Sequence, residues 1–201
     1  MRYTGPKIRI NRRLKMAVFN PKKAFERKPH LPGMHGPRLR RRETEYSKGL
    51  IEKQKVRFKY GLTEKQMRKY MAQAKRIEGI TGENFIRSLE IRLDNVVYLM
   101  GLSRSRPGAR QFVRHGHIKV NGCKVDIPSY QCKIGDKIEV RHKTSSRHLA
   151  NVNIENSHAR SVPAWVDVNA EAMSATLMRF PIPSELEQEI NMQIVVEFYS
   201  R

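Results

Sequence analysis

Apolar residues recur at helical spacing through the part of the chain that follows residue 43. This spacing predicts one helix from Glu43 to Tyr60 and a second from Leu62 to Glu78, where Thr63 and Gln66 occupy the positions of a capping box. A third helix is predicted from Thr81 to Gly101. Its shared apolar face comprises Leu89, Leu93, Val96, Val97 and Met100.

The pattern then changes to a short helix and a hairpin. Ser105 is a suitable N-cap for a helix that ends near His115. Polar and apolar residues alternate after it, and Asn121-Gly122 is the two-residue turn best suited to the twist of paired strands. This turn predicts a register with Lys119 directly opposite Lys124 on the outer face. The predicted inner face comprises Ile118, Val120, Cys123 and Val125, with Ile138 and Val140 on a returning strand.

The two ends of the chain have weaker patterns. Residues 1–42 are rich in proline, glycine and cations, which predicts an extended basic arm that orders on a partner. A disordered solubilising tail is the alternative, and Gly5-Pro6 argues against a helix. Residues 142–161 are predicted to be a linker or loop. Strands are predicted in "VPAWVDV", "ATLMRF" and "IVVEFY", with a short helix capped by Ser184 and Glu187 before the last of them.

These elements predict an α+β fold. We expect a mainly helical domain with a short C-terminal strand pair, a module of two helices and a small antiparallel sheet, and an extended basic N-terminal arm. The predicted arm comprises residues 1–42.

Charge narrows the class of partner. The 201 residues include 40 Lys and Arg against 19 Asp and Glu, a net charge of +21, and the sequence pI is about 10.4. Such a surplus repels itself unless a polyanion neutralises it, so nucleic acid is the leading partner. An anionic membrane is the weaker alternative, since no apolar run approaches the roughly 20 residues that span a bilayer.

The module holds the most specific candidate surface. Arg106, Arg110 and Arg114 are spaced by four and share a helix face, and guanidinium groups match phosphate oxygens in paired hydrogen bonds. Lysines opposed across a ladder are unfavourable by a few tenths of a kcal/mol to about 1 kcal/mol, and a phosphate between them reverses that sign. Two lysines that splay into solvent are the alternative for Lys119 and Lys124.

Other chemistry has little support. The sequence contains neither GxxxxGK nor GxGxxG, so nucleotide hydrolysis and dinucleotide redox lack a motif. His115 and His117 near Cys123 suggest a metal site, but Cys123 and Cys132 are spaced too widely for a zinc knuckle. "IRLD" resembles the catalytic triplet of pseudouridine synthases, yet it lies on a predicted helix and no catalytic domain follows, which favours a structural Asp94. We expect no cofactor, no metal and no enzymatic activity.

One family matches the chain from end to end. "RLDNVVYLMGLSRSRPGARQFVRHGHIKVNGCKVDIPSYQCKIGDKIEVR" resembles the small RNA-binding module named after ribosomal protein S4. The flanking segments "RYTGPK", "LPGMHG", "EKQKVRFKYGLTEKQ", "TGENF", "PAWVDV" and "IVVEFYSR" resemble the bacterial-type ribosomal protein family itself.

The resemblance implies a structural protein of the small ribosomal subunit. It implies direct binding to a multi-helix junction in the 5-prime domain of the ribosomal RNA, nucleation of subunit assembly, and an influence on translational accuracy. It also implies contact with ribosomal protein S5 and a place near the channel through which messenger RNA enters. It further implies that the module, residues 90–156, is inserted into one discontinuous, mainly helical domain formed by residues 43–89 and 157–201. The expected location is the cytoplasmic ribosome, and an organellar ribosome stays open.

The expected RNA-binding residues are basic residues of the arm, of the helix predicted from Glu43 to Tyr60, and of the module. They are Arg2, Lys7, Arg9, Arg12, Arg13, Arg40, Arg41, Arg42, Lys53, Lys55, Arg57, Lys59, Arg104, Arg106, Arg110, Arg114, His115, His117, Lys119 and Lys124.

Two departures from the family matter. Many relatives carry a cysteine zinc knuckle near the N-terminus, but no cysteine precedes Cys123 here, so no metal is expected. Pro107-Gly108 replaces the better helix formers usual in the first turn of the module's second helix, which predicts fraying at Arg106. The alternative function is an RNA-modifying or heat-shock-type protein that uses the same module.

Overall fold

A computed structural model of the chain describes residues 3–19, 26–37, 44–155, 162–185 and 189–200. The helices are α1 (Lys7–Leu14), α2 (Glu45–Lys59), α3 (Glu64–Ala74), α4 (Thr81–Glu90), α5 (Leu93–Leu99), α6 (Arg106–Arg114), α7 (Thr144–Glu155) and α8 (Met192–Phe198). The strands are β1 (Ile118–Val120), β2 (Cys123–Lys124), β3 (Lys137–Val140), β4 (Val166–Asn169) and β5 (Ser174–Leu177).

The chain divides into two compact units. The first comprises Met1–Phe85 with Glu187–Arg201, and the second comprises Ile86–Leu186. Within the described ranges, no helix combines the length and the apolar composition needed to cross a membrane.

Local capping signals in the first unit are confirmed. The Thr63 hydroxyl accepts a hydrogen bond from the backbone N–H of Gln66, and the Gln66 side chain accepts one from the backbone N–H of Thr63. Thr44 caps α2 by accepting from the backbone N–H of Ser47. These bonds satisfy N–H groups that the first turn of each helix leaves unpaired, and the capping box places the start of α3 as predicted. Helix α2 begins at Glu45 rather than at the predicted Glu43, since Thr44 is its cap.

The N-terminal segment is not extended throughout, so that prediction is wrong at α1. Pro6 directly precedes the first helical residue, a position where a missing N–H is not needed. Leu14 is buried, and the rings of Tyr3 and Phe19 lie edge-on to Phe58 of α2 at 5.3 and 6.1 Å between centroids. A few well-placed apolar side chains therefore order a segment whose composition predicts disorder.

The C-terminal segment predicted as a final strand is helix α8. The Asn191 side chain accepts from the backbone N–H of Ile194 and caps the helix, and Val195 is fully buried. The ring of Phe198 lies against α2 so closely that a Cβ added at Gly49 would be 2.8 Å from it. Tertiary packing thus overrides the strand preference of the β-branched residues.

A further local prediction is wrong, and another falls largely outside the described residues. Thr144–Glu155 forms helix α7, where a loop was predicted, because Ser146 and Ala150 bury one narrow face of otherwise polar sequence. Ser184 lies inside a 3₁₀ turn, Pro183–Glu185, and the residues that would follow it in the predicted short helix begin at 186, outside the described part of the chain. Glu187, the other half of that prediction, lies outside the described residues.

The second unit is built on one antiparallel sheet with strand order β2-β1-β3-β5-β4. Lys119 pairs with Lys124 and Val120 with Cys123, so the predicted hairpin register is confirmed. The predicted strands in "VPAWVDV" and "ATLMRF" correspond to β4 and β5, and β5 pairs with β3. These strands lie with the sheet, whereas the family resemblance groups residues 157–201 with the helical part. Insertion of the module into a discontinuous domain stays a prediction.

Cys123 was predicted to face the core but is exposed. Its strand β2 has only two residues and lies at the sheet edge, where both side chains are exposed. Cys132 is buried instead, and burial raises the pKa of its thiol to about 12. Ile118, Val120, Ile138 and Val140 are buried as predicted.

The predicted helix from Thr81 to Gly101 is interrupted at Ile91 and Arg92. Arg92 adopts an extended conformation (φ −66°, ψ 138°) and forms an isolated antiparallel bridge with Gln131. Its side chain is completely buried, and its guanidinium donates to both carboxylate oxygens of Asp94 at 3.0 and 2.8 Å. A paired charge inside the fold therefore ends one helix and starts the next.

Removal of this carboxylate should destabilise the protein strongly. We expect Asp94→Ala to lower the free energy of unfolding by about 3–5 kcal/mol, because it leaves a buried guanidinium unpaired. Urea denaturation followed by circular dichroism measures this. Exposed Asp126→Ala is the matched control and should change stability by less than about 0.5 kcal/mol.

The double variant Arg92→Met with Asp94→Leu separates charge pairing from packing. It should recover much of the stability that Asp94→Ala removes, because apolar residues of similar size need no partner. Equal stabilities for Asp94→Ala and Asp126→Ala would show that the pair is not required.

Candidate nucleic-acid interface

Helix α6 presents cations on a firmly packed support. Ala109, Phe112 and Val113 are buried, and the Ser105 hydroxyl accepts from the backbone N–H of Gly108. The predicted N-cap and apolar face are therefore confirmed. Arg114 is exposed and Arg110 is half-buried, so these two occupy the face turned away from the core.

Arg106 is directed into the protein rather than displayed with Arg110 and Arg114. Its Nε donates to Asn95 Oδ1 at 2.8 Å, and its guanidinium carbon lies 4.5 Å from the ring centroid of Tyr98. These contacts favour a structural role for this arginine. Contact of Arg106 with RNA stays a prediction to which the geometry gives little support.

The structure explains why Pro107 and Gly108 are compatible with the first turn of α6. Proline is tolerated in the first turn of α6, since its missing N–H would have no partner there. A Cβ at position 108 would collide with the hydroxyl of Ser103, which is buried and donates to the carbonyl of Ser105. Glycine therefore permits the tight entry into the helix, which is not frayed.

The β1–β2 hairpin is anchored at its tip. Asn121 has a positive φ of 50°, and its side chain donates to Asp136 Oδ1 at 2.8 Å and accepts from the backbone N–H of Lys137 at 2.9 Å. The opposed Lys119 and Lys124 thus project from a hairpin held at both strands and turn. On the other side of β1, Glu139 lies opposite Lys119 and forms an ion pair with Lys137 at 3.9 Å.

Lys124 lies across Gly116. A Cβ at Gly116 would collide with Lys124 Cε, and φ at this glycine is +72°. The absence of a side chain therefore lets the lysine fold back toward the end of α6. Exposed His115 follows directly on that helix, so Lys124 and His115 extend one positive surface.

His117 connects this surface to α7. Its Nδ1 is 2.9 Å from the Ser146 hydroxyl, and its ring centroid is 4.8 Å from that of Phe112. Burial lowers the pKa of His117, and the nearby positive charges of His115, Lys143 and Arg141 lower it further. The imidazole is therefore a point at which an approaching phosphate would favour proton uptake.

The cations of α2 are largely engaged within the first unit. Lys53 is 8% exposed, pairs with Glu64 at 3.2 Å and lies 4.9 Å from the ring centroid of Phe198. Lys59 is also 8% exposed. Lys55 pairs with Glu52 at 2.6 Å.

Arg57 likewise donates to protein acceptors, the Leu62 carbonyl and the Gln54 side chain, both at 3.4 Å. The structure thus gives these four predicted RNA-binding residues roles inside the protein. Their contact with RNA stays a prediction.

Predicted residues of the arm divide into three groups. Lys7, Arg9 and Arg13 are exposed on or beside α1. Arg12 is half-buried and donates to the carbonyls of His30 and Leu31 at 2.9 and 3.1 Å. The predicted residues outside the described part are Arg2, Arg40, Arg41 and Arg42. Arg104, just before α6, is exposed.

Sequence reasoning missed a second group of cations in the second unit. Arg141, Lys143 and Arg147 are exposed where β3 leads into α7. Lys143 and Arg147 lie in the segment predicted as a loop, and Arg141 directly precedes it. A loop assigns its side chains to no particular face, so the sequence did not group these cations. The signal was the pair Ser146 and Ala150, two small residues four apart. Among the described residues, no cluster of three or more His, Cys, Asp or Glu could hold a metal ion.

Comparison with known proteins covers the whole chain. Residues 2–90 match the family model described as "Ribosomal protein S4/S9 N-terminal domain", and residues 91–138 match "S4 domain". "Small ribosomal subunit protein uS4" of Opitutus terrae is 54% identical over 200 residues, covering 100% of this chain and 98% of that protein.

Two further relatives have the same name. The protein of Akkermansia muciniphila is 46% identical over 201 residues, and that of Listeria monocytogenes serotype 4b is 46% identical over 200 residues. Each comparison covers 100% of this chain and 99% of the relative. The similarity therefore includes both units and not the module alone.

The opposed lysines should contribute to binding rather than to folding. We expect Lys119→Ala with Lys124→Ala to reduce the dependence of log affinity on log salt by about two units, one for each phosphate that is no longer neutralised. Stability should stay level or rise, since a like-charged pair is removed. Filter binding to small-subunit ribosomal RNA across a salt series measures the first, and urea denaturation measures the second.

Lys133→Ala with Lys137→Ala is a matched control, because both lysines are exposed in the same unit. This control should leave the salt dependence unchanged. An unchanged slope for the Lys119 and Lys124 variant would show that these lysines extend into solvent and bind no phosphate.

His117 should make the stability of the free protein depend on pH. Its lowered pKa means that the folded state resists a proton that the unfolded state accepts below about pH 6.5. Stability is therefore full above that value and falls as pH decreases toward the folded pKa. We expect His117→Gln to show a shallower loss than wild type in urea titrations between about pH 7.5 and about pH 5.5.

His148→Gln removes an exposed imidazole of α7 and serves as the control. It should follow the wild-type profile. Identical profiles for wild type and His117→Gln would contradict the assignment.

Proposed function

This chain belongs to the ribosomal protein S4 family, and from that premise we propose that it is a structural constituent of the small ribosomal subunit that binds the subunit's RNA directly. The observation that carries the proposal is similarity over the full chain to proteins named small ribosomal subunit protein uS4. The net charge of +21 and the cations fixed on the α6 and hairpin surface support it physically. It is a structural ribosomal protein and not an enzyme.

The surface suits recognition of RNA by shape and phosphate position. Double-stranded RNA has a deep, narrow major groove that side chains do not read, so binding depends mainly on the backbone and the 2′-hydroxyls. Arg114, Lys119 and Lys124 project from a helix and a hairpin whose backbones are tied to a buried core. Ordering them on RNA therefore loses little conformational entropy, because their supporting elements are already fixed.

Finer roles are proposed from the family resemblance. The bound RNA is a multi-helix junction of the 5-prime domain, and binding there nucleates assembly of the subunit body. Ribosomal protein S5 is a neighbour, and together the two influence translational accuracy. Messenger RNA passes nearby as it enters the subunit. The exposed cations Lys7, Arg9 and Arg13 are available for contacts of this kind.

The proposed location is the small subunit of a bacterial-type cytoplasmic ribosome. The relatives that support it are bacterial proteins, and each is matched over nearly its whole length.

The alternative, an RNA-modifying or heat-shock-type protein that uses the same module, is not favoured. Such proteins share the module but not the segments before and after it. Here residues 2–90 match the N-terminal domain of the ribosomal family, and 98–99% of each relative is covered. The match outside the module therefore discriminates between the two functions.

Sedimentation tests this function directly. We expect most of the chain in a cell extract to sediment with small ribosomal subunits at moderate salt, because many phosphate contacts act together. Immunodetection across a sucrose gradient measures the distribution. Ribonuclease treatment of the same extract should release the chain, which controls for aggregation. A chain found mostly in the free fractions would overturn the proposal.

A further inference from the structure

A group of cations next to the predicted RNA surface has no assigned role. It consists of Arg141 and Lys143, which link β3 to α7, and Arg147, one turn into that helix. We call these three residues the corner cluster. The matched S4 domain ends at residue 138, so the cluster lies beyond it.

Hydrogen bonds fix the backbone of the corner cluster relative to the hairpin. The backbone N–H of Arg141 donates to the His117 carbonyl at 2.8 Å, and that of Arg147 donates to the Lys143 carbonyl at 3.0 Å. His117 Nδ1 also contacts the buried Ser146 hydroxyl at 2.9 Å. His117, which precedes β1, is therefore bonded both to Arg141 after β3 and to Ser146 of α7.

Carboxylates do not neutralise the cluster within the described part of the chain. None of the ion pairs between described residues includes Arg141, Lys143 or Arg147. Within α7 the acidic residue is Glu155, eight positions after Arg147 and so about 12 Å along the helix axis. The Arg147 guanidinium instead contacts His142 Nδ1 at 2.7 Å.

The cluster is continuous with the hairpin surface. The ring centroids of His115 and His117 are 6.1 Å apart. Gly116 is the residue between these histidines, and the side chain of Lys124 lies over it. The positive charges of Arg141 and Lys143, like that of His115, lower the pKa of His117, so all three lie close enough to act on it. Cations from α6, the hairpin and α7 thus converge on one edge of the unit, an arrangement that repels itself in the free protein.

We propose that Arg141, Lys143 and Arg147 form a second binding site for the sugar-phosphate backbone of RNA, adjacent to the site of Lys119 and Lys124. Arginine forks at two of the three positions match phosphate oxygens in paired hydrogen bonds, and the lysine adds a point charge. With both sites occupied, the unit grips neighbouring backbone segments on either side of His117. This inference rests on the proposed function and extends it to residues outside the S4 domain.

The first test removes two charges of the cluster. We expect Lys143→Gln with Arg147→Gln to reduce the salt slope of binding to small-subunit ribosomal RNA by about two units. The matched control is Lys133→Gln with Lys137→Gln, which also removes two exposed cations spaced by four in the same unit. The control should keep the wild-type slope, and circular dichroism should show both variants folded.

The outcomes separate the inference from the function on which it rests. If the Lys119 and Lys124 variant lowers the slope while the Lys143 and Arg147 variant does not, the second site is overturned and RNA binding stands. If wild-type protein does not bind the RNA with salt dependence, the proposed function itself fails. Equal effects of the cluster variant and its control would also overturn the site, because the effect would then be one of net charge.

A second measurement locates the RNA. Cys123 is exposed and Cys132 is buried, so an iron chelate attached to the full chain reacts selectively at Cys123. A second protein has Asn151→Cys on α7 with Cys123→Ser. We expect hydroxyl radicals from the two positions to cleave different but neighbouring RNA segments. Cleavage from Cys123 with none from position 151 would contradict contact of α7 with RNA.

Discussion

The buried ion pair between Arg92 and Asp94 determines the arrangement of the second unit. A guanidinium with no exposed surface is tolerated only if its hydrogen bonds are satisfied, and Asp94 accepts two of them. The extended backbone at Arg92 that makes this geometry possible also separates α4 from α5. It further aligns Arg92 with Gln131 for a backbone bridge, so the loop before β3 is positioned by the same pair.

The polar network extends from this pair to the candidate interface. Asn95, one residue after Asp94, donates to the Glu90 carbonyl at 2.9 Å and accepts from Arg106 at the start of α6. Arg106 therefore links the core network to the helix that displays Arg110 and Arg114. One arginine that resembles an RNA ligand by its spacing is used to orient two others. Because Asn95 is buried, a broken hydrogen bond to its side chain would cost more than a surface contact of the same kind.

The sequence predicted the parts of this protein that depend on neighbours along the chain. The Thr63 capping box, the Ser105 cap and the Asn121-Gly122 register are set by a few adjacent residues, and all three are confirmed. Lys119 and Lys124 could be placed opposite one another for the same reason. The break at Arg92 and the helical C-terminus could not be predicted, since a distant backbone bridge and packing on α2 decide them.

The same distinction explains which cations could be assigned. Lys53 and Arg114 look alike as charges in a basic chain, but one lies beneath aromatic rings beside the Glu64 carboxylate and the other is exposed. The charge count alone thus overestimates how many cations α2 exposes, and it does not identify the exposed cations at the start of α7.

Rigid support gives the remaining cations their value for binding. A flexible basic tail can neutralise RNA, but it loses conformational entropy for each residue that becomes ordered. In the second unit the backbone is already ordered on folding, by the buried sheet, the Arg92 network and the anchored hairpin. Binding therefore does not incur this loss of backbone entropy again. The repulsion between Lys119 and Lys124 is small beside the stability these elements supply, so the fold can hold like charges together. Gly116 adds to this by leaving room for Lys124 at the end of α6, which brings that lysine next to His115. The module therefore offers RNA a surface whose shape is set before binding, which is what recognition by backbone geometry requires.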